Sequence, residues 1–326
     1  MIIYRNHQDT KSEDKKYVYT DSKGVTVKNS DVLDQIKKMA IPPAYTKVKI
    51  DLDKCAKIIY EGYDDKNRLQ QKYSGVHNTK AKKAKFCRLK DFGKIMPKLK
   101  SDIKKNVSNK RITQNKIISL ILKIIWLCGF RLGNQKYMIL YESYGISNIR
   151  KRHMTFKGSD IYIEFKGKKS VINTCCIKDQ ELVLELKELV SSKKPDDHIF
   201  TYRKDNEEVL IKPTEINDFL KTYGNITSKD LRTFDVNILF IDFMKENMKN
   251  LIESTSIAKR KKITKQALEL TSSHINNTPG ICKSSYLLTD IYEMAIETPK
   301  TFKKHFGSNT ESRVQFINFL DKVYCK

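Results

Sequence analysis

The sequence predicts an α+β protein, with a small β-rich N-terminal domain over residues 1–77 and a larger, mainly α-helical domain over residues 78–326 that contains a small antiparallel sheet. Three observations predict this division. Short stretches of alternating apolar and polar residues fill the first part of the chain, apolar residues at helical spacing dominate the rest, and one strand–turn–strand pattern lies near residue 165. The hydrophobic fraction of 39% is enough for a folded core.

Short strands separated by turns account for the N-terminal domain. A helix over residues 32–39, capped by Ser30 or Asp31, is expected to end before Pro42. Strands are predicted at residues 17–19, 25–27, 47–51 and 56–62, and in a last stretch that ends at Tyr73.

The second domain is built around a core helix. Apolar residues cover nearly the whole circumference of residues 114–128, a helix capped by Thr113 and ended by Gly129. The basic segment before it has helical spacing, which we expect Pro97 to break. A hairpin is predicted with strands at residues 161–165 and 171–177. Further helices are predicted at residues 179–190, 214–223, 228–246, 263–272 and 287–296.

The charge of the chain indicates a polyanionic partner. There are 63 Lys and Arg against 38 Asp and Glu, a formal net charge of +25. Residues 78–116 alone hold twelve Lys and two Arg against two Asp. Nucleic acid is the commonest partner for such a surface, ahead of anionic membranes and acidic proteins, and a solvated lysine-rich face is the ordinary alternative. Contacts with about 6–10 phosphates would make affinity fall by roughly 10³–10⁵ between 50 and 200 mM salt.

Several classes of protein are not expected. The seven Cys form no CxxC pair, so neither a zinc site nor a disulfide framework is predicted, and we expect reduced thiols. The chain begins without an apolar leader, and its longest apolar stretch, residues 117–130, is too short to span a bilayer. We therefore expect a soluble intracellular protein with no membrane partner. No Asp and Glu cluster suits a divalent ion, so no metal and no cofactor are expected.

Phosphodiester cleavage without a metal requires Arg and amide or imidazole donors on the phosphate, a nucleophile and an acid. Arg131 and Arg232 lie beside strongly apolar segments, where a charge needs either an anionic ligand or a structural carboxylate. Other residues of the required types also have ordinary structural explanations. Tyr286 is one of 16 tyrosines, and Lys168 lies in a hairpin turn where solvated lysines are common.

Several sequence blocks, taken together, identify a family. The chain resembles type IB DNA topoisomerases of the compact poxvirus and bacterial kind, and the resemblance covers roughly residues 41–300. The blocks that carry it, in order, are IPPAY, NRLQQKY, FRLGNQKY with ESYGISNIRKRHM, IEFKGKKS, KDLRTFDVN and NNTPGICKSSYL.

The resemblance implies a role for each matching residue. Tyr286 matches the nucleophile that becomes linked to a 3′-phosphate, and Arg131 and Arg232 match the two arginines that clamp the scissile phosphate. Lys168 matches the general acid that protonates the departing 5′-oxygen. Residues 78–326 are then the catalytic domain, and religation by the reverse path needs neither ATP nor metal.

One position departs from the poxvirus pattern, in which a His directly precedes Thr-Pro. Here Asn277 precedes Thr278, as in the bacterial members. We assign the role of phosphate donor to Asn277, whose amide can hydrogen-bond an oxygen but carries no charge. His274 is the competing candidate for this fifth catalytic position.

The resemblance also implies contacts with double-stranded DNA. Arg68, Gln70 and Tyr73 match major-groove contacts of the N-terminal domain, although the structural alternative for them is an ordinary hairpin surface. Gln71 replaces a groove-reading Tyr, so the poxvirus recognition sequence is not carried over.

Lys136 and Tyr137 follow the FRLGNQ block, and Tyr137 matches a residue that contacts backbone and base. Residues 1–77 are then expected to form one side of a monomeric clamp around the duplex. The lysine-rich composition points to a large DNA virus or a low-GC microbe. The expected location is a virion or viral replication site in the first case, and the cytoplasm or nucleoid in the second.

Two other functions remain open at this point. A site-specific tyrosine recombinase uses a similar Arg-Lys-Arg-Tyr set, although the N-terminal blocks favour a topoisomerase. A non-catalytic DNA-binding protein would use the lysine surplus alone.

Overall fold

The computed structural model describes residues 1–7 and 17–326, which form two compact units, Met1–Lys85 and Phe86–Lys326. The α+β class is confirmed: strands dominate the first unit, and helices with small antiparallel sheets make up the second. The domain boundary predicted between residues 77 and 78 lies before the boundary between the two units, which falls between Lys85 and Phe86. The helix Gly75–Val107 runs through both boundaries.

A five-stranded antiparallel sheet forms most of the first unit, in the order β2-β1-β3-β4-β5. Strand β1 was not predicted, although it lies between β2 and β3 in the sheet. Residues 25–27 form no strand, since only the bridge between Thr20 and Thr26 is made there. The strands are β1 (Ile2–His7), β2 (Tyr17–Asp21), β3 (Thr46–Asp51), β4 (Ile58–Tyr63) and β5 (Leu69–Tyr73).

Helix α1 (Ser30–Lys38) covers the apolar face of this sheet. Its cap is Asn29, whose side chain accepts from the Val32 N–H, and not Ser30 or Asp31 as predicted. The core under the helix is small, and its fully buried apolar residues are Ile3, Ile36, Val48, Ile50 and Tyr60.

The prediction that Pro97 breaks the basic helix is wrong. Helix α2 (Gly75–Val107) continues through it, because buried residues spaced along one face hold the helix in the core of the second unit. Pro97 has no N–H for the carbonyl of Gly93, one turn earlier. Arg313 Nη1 donates to that carbonyl instead, at 3.2 Å, so the freed acceptor is satisfied.

The core helix α3 (Gln114–Cys128) is as predicted. The Thr113 side chain caps its first turn by accepting from the Lys116 N–H, and Gly129 ends it in the left-handed conformation at φ 61°. The helix lies at the centre of the second unit.

The predicted hairpin is present and gains a third strand. Strands β6 (Met154–Lys157), β7 (Asp160–Lys166) and β8 (Ile172–Ile177) form an antiparallel sheet in that order. A turn at Lys168–Ser170 joins β7 to β8. Phe165 of β7 packs edge-on against Phe130, with ring centroids 4.9 Å apart, so the hairpin is tied to the chain just after α3.

Helices fill the remainder of the second unit, with one short hairpin of β9 (Thr201–Lys204) and β10 (Glu207–Leu210). The five predicted helices are confirmed, and the shorter ones are additions. Short 3₁₀ turns lie at Ile146–Asn148 and Lys151–His153, and a π turn at Leu320–Tyr324. The helices are α4 (Gln135–Tyr141), α5 (Gln180–Val190), α6 (Pro213–Lys221), α7 (Ser228–Glu246), α8 (Met248–Glu253), α9 (Ile257–His274), α10 (Pro279–Ser285), α11 (Thr289–Glu297), α12 (Pro299–Phe306) and α13 (Ser312–Phe319).

The expectation that all cysteines are reduced is wrong. Disulfides join Cys87 to Cys325 and Cys128 to Cys175, partners that are 238 and 47 residues apart in the sequence. Sequence spacing gave no signal of these pairs because only the fold brings them together. The remaining cysteines, Cys55, Cys176 and Cys282, are free. None of the described helices has the length and apolar composition required for a membrane span.

We expect Arg313→Leu to lower the free energy of unfolding by about 1–3 kcal/mol, because the Gly93 carbonyl then loses its donor. The loss should be smaller in a Pro97→Ala background, where the N–H of residue 97 restores the helical hydrogen bond. Urea denaturation of the four proteins in this cycle measures the difference. Equal losses in both backgrounds would contradict the role given to Arg313.

Candidate active site

A buried guanidinium lies at the centre of the site. Arg232, on the first turns of α7, is only 4% exposed. Its Nε donates to the Gly129 carbonyl at 2.7 Å, its Nη2 to the Ile275 carbonyl at 2.9 Å, and its Nη1 to the Tyr286 hydroxyl at 2.9 Å. Burial lowers the pKa of Arg232 to about 10, so the group stays protonated at neutral pH. All three partners are neutral oxygens, and no carboxylate pairs with Arg232 among residues 1–7 and 17–326. This favours an anionic ligand over a structural carboxylate as the partner of the charge.

Glycine is required at residue 129, where α3 ends beside Arg232. A Cβ at residue 129 would lie 2.5 Å from the His274 carbonyl oxygen and 2.8 Å from the Cα of Ile275. Because residue 129 also has a left-handed conformation, only glycine lets the two chain segments approach closely. This approach brings the Gly129 and Ile275 carbonyls within hydrogen-bond distance of the same guanidinium group.

Tyr286 follows helix α10 and is 6% exposed. Its main chain is held by Asn237, a fully buried residue of α7 that sequence reasoning missed. The Asn237 amide donates to the Tyr286 carbonyl at 3.0 Å and its oxygen accepts from the Leu288 N–H at 2.9 Å. The available signal was an amide within an otherwise apolar stretch of helix. Through Asn237, the helix that carries Arg232 also fixes the tyrosine.

The charges around Tyr286 favour its ionised form. Burial acts to raise the pKa of the phenol, but nearby positive charges outweigh burial and the pKa lies below its usual value of 10.0. These charges lie, in decreasing order of effect, on Arg232, Arg131 and Lys229. Lys229 is exposed on α7 and was not predicted, because nothing distinguishes it from the many other lysines.

Arg131 and Asn277 form the second part of the cluster. Both are half-buried, and Arg131 Nη2 donates to the Asn277 side-chain oxygen at 2.5 Å. This bond fixes the orientation of the amide. The Nδ2 of Asn277 is buried and has no hydrogen-bond partner in the described part of the chain. An unsatisfied buried donor beside two guanidinium groups is suited to an anionic oxygen.

His274 lies close by and remains a competitor. Its Nε2 is also buried without a partner among residues 1–7 and 17–326. Burial and then the charge of Arg232 lower the pKa of this imidazole, so it is neutral at pH 7. Unlike Asn277, it makes no hydrogen bond through its side chain to Arg131 in the structure.

Lys168 is not joined to this cluster. It is exposed at the start of the turn between β7 and β8, and no hydrogen bond or ion pair links its ammonium group to another described residue. Left-handed conformations at Lys169 and Ser170, with φ of 60° and 59°, shape the turn. Its role as an acid therefore stays a prediction.

The residues predicted to contact DNA in the first unit form a polar network on β5 and the preceding turn. Arg68 and Gln70 both donate to the Asp64 carboxylate, at 2.9 and 3.0 Å. The hydrogen bond from Arg68 lowers the pKa of Asp64 to about 2. Tyr73 donates to the side-chain oxygen of Gln71 at 3.1 Å. The network holds these side chains at the surface of the sheet.

In the second unit, Lys136 and Tyr137 lie on the short helix α4. Tyr137 is 44% exposed and its ring lies 5.8 Å from that of Tyr141. Both predicted contact residues are therefore accessible to a macromolecular partner. No group of His, Cys, Asp and Glu suited to a metal ion occurs among the described residues.

Comparisons with known proteins show the family of the chain. Residues 72–309 match the family model of the eukaryotic DNA topoisomerase I catalytic core, and residues 16–64 match that of the bacterial DNA topoisomerase IB N-terminal domain. DNA topoisomerase 1B of Acanthamoeba polyphaga mimivirus is 30% identical over 333 residues, covering 99% of this chain and 95% of that protein. DNA topoisomerase 1B of Vaccinia virus, strain Copenhagen, is 26% identical over 271 residues, covering 82% of this chain and 79% of the viral protein.

We expect Arg131→Ala to raise the pKa of Tyr286, because one of the charges that stabilise the phenolate is removed. Arg131→Lys keeps a positive charge and should change the pKa less. Titration of protein labelled with ¹³C at the tyrosine ring carbon that carries the hydroxyl measures the shift, with Tyr286→Phe assigning the signal. An unchanged pKa in the alanine variant would contradict the electrostatic account.

Proposed function

This chain belongs to the type IB DNA topoisomerases, and we propose that it relaxes supercoiled duplex DNA through a covalent bond between Tyr286 and the 3′-phosphate of one strand. The strand is cut, the duplex rotates, and the reverse reaction reseals the strand. The observation that carries this proposal is the hydrogen bond of 2.9 Å between Arg232 Nη1 and the Tyr286 hydroxyl inside a buried cluster of positive charge.

Attack by Tyr286 requires loss of its proton. A phenol of pKa about 10 is ionised to only about one part in 10³ at pH 7, and each unit of lowering increases that fraction tenfold. Arg232 and Arg131 both act in this direction. The phenolate oxygen then bonds to phosphorus as the bond to the 5′-oxygen breaks, so the number of ester bonds is conserved. For that reason we propose that no ATP is required. We also propose that no metal ion is required, because Arg232, Arg131 and Asn277 can supply the donors to the phosphate.

The donors around Tyr286 match the charge that develops on the phosphate. Arg232 has five N–H groups and uses three of them within the protein, which leaves donors for a non-bridging oxygen. The unpaired Nδ2 of Asn277 and the guanidinium of Arg131 supply further donors. Donors that are already fixed before the reaction stabilise a transition state most effectively.

We assign to Lys168 the protonation of the departing 5′-oxygen. An alkoxide is a poor leaving group at neutral pH, so proton donation speeds cleavage. The exposed turn leaves the ammonium group of Lys168 free to approach the substrate. In the resealing step the same group accepts the proton back.

Double-stranded DNA is the proposed partner of both units. Arg68, Gln70 and Tyr73 are proposed to contact it from the first unit, and Lys136 and Tyr137 from the second. We propose that the protein acts as a monomer, a proposal supported by the cluster that Tyr286, Arg232, Arg131 and Asn277 form within one chain.

We expect purified protein to convert supercoiled plasmid into a ladder of relaxed topoisomers in the presence of EDTA and without ATP. Tyr286→Phe should abolish relaxation, by on the order of 10⁴-fold or more, with DNA binding nearly intact because one oxygen is lost. Gel electrophoresis and a filter-binding assay measure the two properties. The proposal would be contradicted if EDTA stopped relaxation or if the phenylalanine variant were active. It would also be contradicted if only site-exchanged products formed.

We expect Asn277→Ala to slow single-turnover cleavage by on the order of 10²-fold, since a donor to the phosphate is removed. His274→Ala should slow it by less than about tenfold, because the neutral imidazole makes no hydrogen bond with Arg131 in the structure. Rapid-quench assays on a suicide duplex, which traps the covalent adduct, measure both rates. The opposite order would assign the fifth catalytic position to His274.

A further inference from the structure

The disulfide between Cys128 and Cys175 lies beside the proposed active site. Cys128 is the last residue of α3, and Gly129, which follows it, provides a carbonyl to Arg232. Cys175 lies in β8, the strand that follows the turn carrying Lys168. The bond therefore joins the segment that leads to Arg131 with the hairpin that carries the proposed acid.

A second contact links the same strand to the site. The Thr174 N–H, next to Cys175, donates to the side-chain oxygen of Asn276 at 3.3 Å. Asn276 directly precedes Asn277, whose amide faces Arg131. The end of α3 is thus joined to strand β8 by the disulfide, and β8 is joined to the loop before α10 by the Thr174 hydrogen bond.

From this placement we propose that the Cys128–Cys175 disulfide is a redox-controlled positioning element for Lys168, which speeds DNA cleavage when intact and slows it when reduced. The inference rests on the proposed function, because it concerns the acid of that reaction. A disulfide that exchanges with thiol compounds can be opened and closed reversibly, so a bond at this position can control how firmly the hairpin is held.

The reducing step is an exchange with a thiol compound. A thiolate attacks one sulfur, forms a mixed disulfide with it and releases the other as a thiol. A second thiol then resolves the mixed disulfide. Two electrons and two protons pass to Cys128 and Cys175, and two molecules of the reductant become one disulfide. Cys175 is half-buried whereas Cys128 is only 3% exposed, so Cys175 is the sulfur that an outside thiol reaches.

Reduction should loosen the hairpin without unfolding the unit. The contact between Phe130 and Phe165 and the hydrogen bond from Thr174 to Asn276 both persist after the sulfurs separate. Lys168 has no hydrogen bond or ion pair of its own among the described residues, so its position depends on the hairpin alone. A displacement of about 1 Å in a reacting group can cost on the order of 10²-fold in rate.

The test compares oxidised and thiol-reduced wild-type protein in single-turnover cleavage of two suicide duplexes. One duplex has the normal 5′-oxygen at the scissile bond and the other has sulfur in its place. A thiol of pKa about 8.5 leaves without a donated proton, so the sulfur duplex does not need Lys168. Mass spectrometry after alkylation of free thiols reports the state of the disulfide in each sample.

We expect reduction to slow cleavage of the oxygen duplex by about tenfold or more and to leave cleavage of the sulfur duplex nearly unchanged. Reoxidation should restore the rate. Cys128→Ser/Cys175→Ser should behave like reduced protein under all conditions. The matched control is Cys87→Ser/Cys325→Ser, which removes a disulfide that joins α2 to the end of the chain, and it should retain the response to reduction.

Equal rates for oxidised and reduced wild type on the oxygen duplex would overturn the inference. Equal slowing of both duplexes would overturn it as well, since that pattern indicates general loosening and not displacement of the acid. If no adduct with Tyr286 forms in any redox state, the proposed function fails and the inference fails with it. Because the wild-type comparison needs no substitution, misfolding of a serine variant does not affect the test.

Discussion

Arg232 carries a permanent positive charge into a space that water barely reaches, and the chain around it is arranged to offset that cost. An unpaired buried ion would cost several kcal/mol. Here the guanidinium is bonded to the Gly129 and Ile275 carbonyls and to the Tyr286 hydroxyl. Three segments distant in sequence are brought together by this one side chain. The left-handed Gly129 and the close approach of residues 274–275 place two of these acceptors beside the guanidinium.

The choice of neutral oxygens as partners has a functional consequence. A carboxylate would stabilise Arg232 more strongly, but it would also cancel the field that acts on the phenol and on an incoming phosphate. Carbonyl oxygens satisfy the hydrogen-bond geometry and leave the net charge in place. Because Arg131 is likewise bonded to an amide and not to an acid, two positive charges remain available where a phosphodiester would lie. The cluster therefore has a net positive charge that an anionic substrate would balance.

Much of the fold is predictable from sequence, and the elements that were predicted wrongly or missed have physical causes. Thr113 and Gly129 fix the ends of the core helix through local chemistry, so the prediction held there. The break expected at Pro97 was wrong because Arg313, more than two hundred residues away, supplies the missing donor. Strand β1 was missed because its place in the sheet depends on β2 and β3.

The difference between local chemistry and tertiary contacts also applies to the residues of the site. Recognisable blocks led us to predict Tyr286 and the two arginines as catalytic residues, and the structure places these side chains in one cluster. The supporting amide of Asn237 and the Cys128–Cys175 pair depend on tertiary contacts that no sequence spacing reveals.

The different environments of Lys168 and Arg232 suit the roles that we propose for them. A side chain that binds the phosphate must keep its charge throughout the cycle, and a guanidinium stays protonated even where burial lowers its pKa to about 10. An acid must give up a proton in one step and recover it in the reverse step, so it needs access to the leaving oxygen and freedom from competing partners. A lysine buried beside the two arginines would be deprotonated by burial and by their repulsion. Placing it on an exposed hairpin avoids that, but its position then depends on how firmly β8 is held to α3.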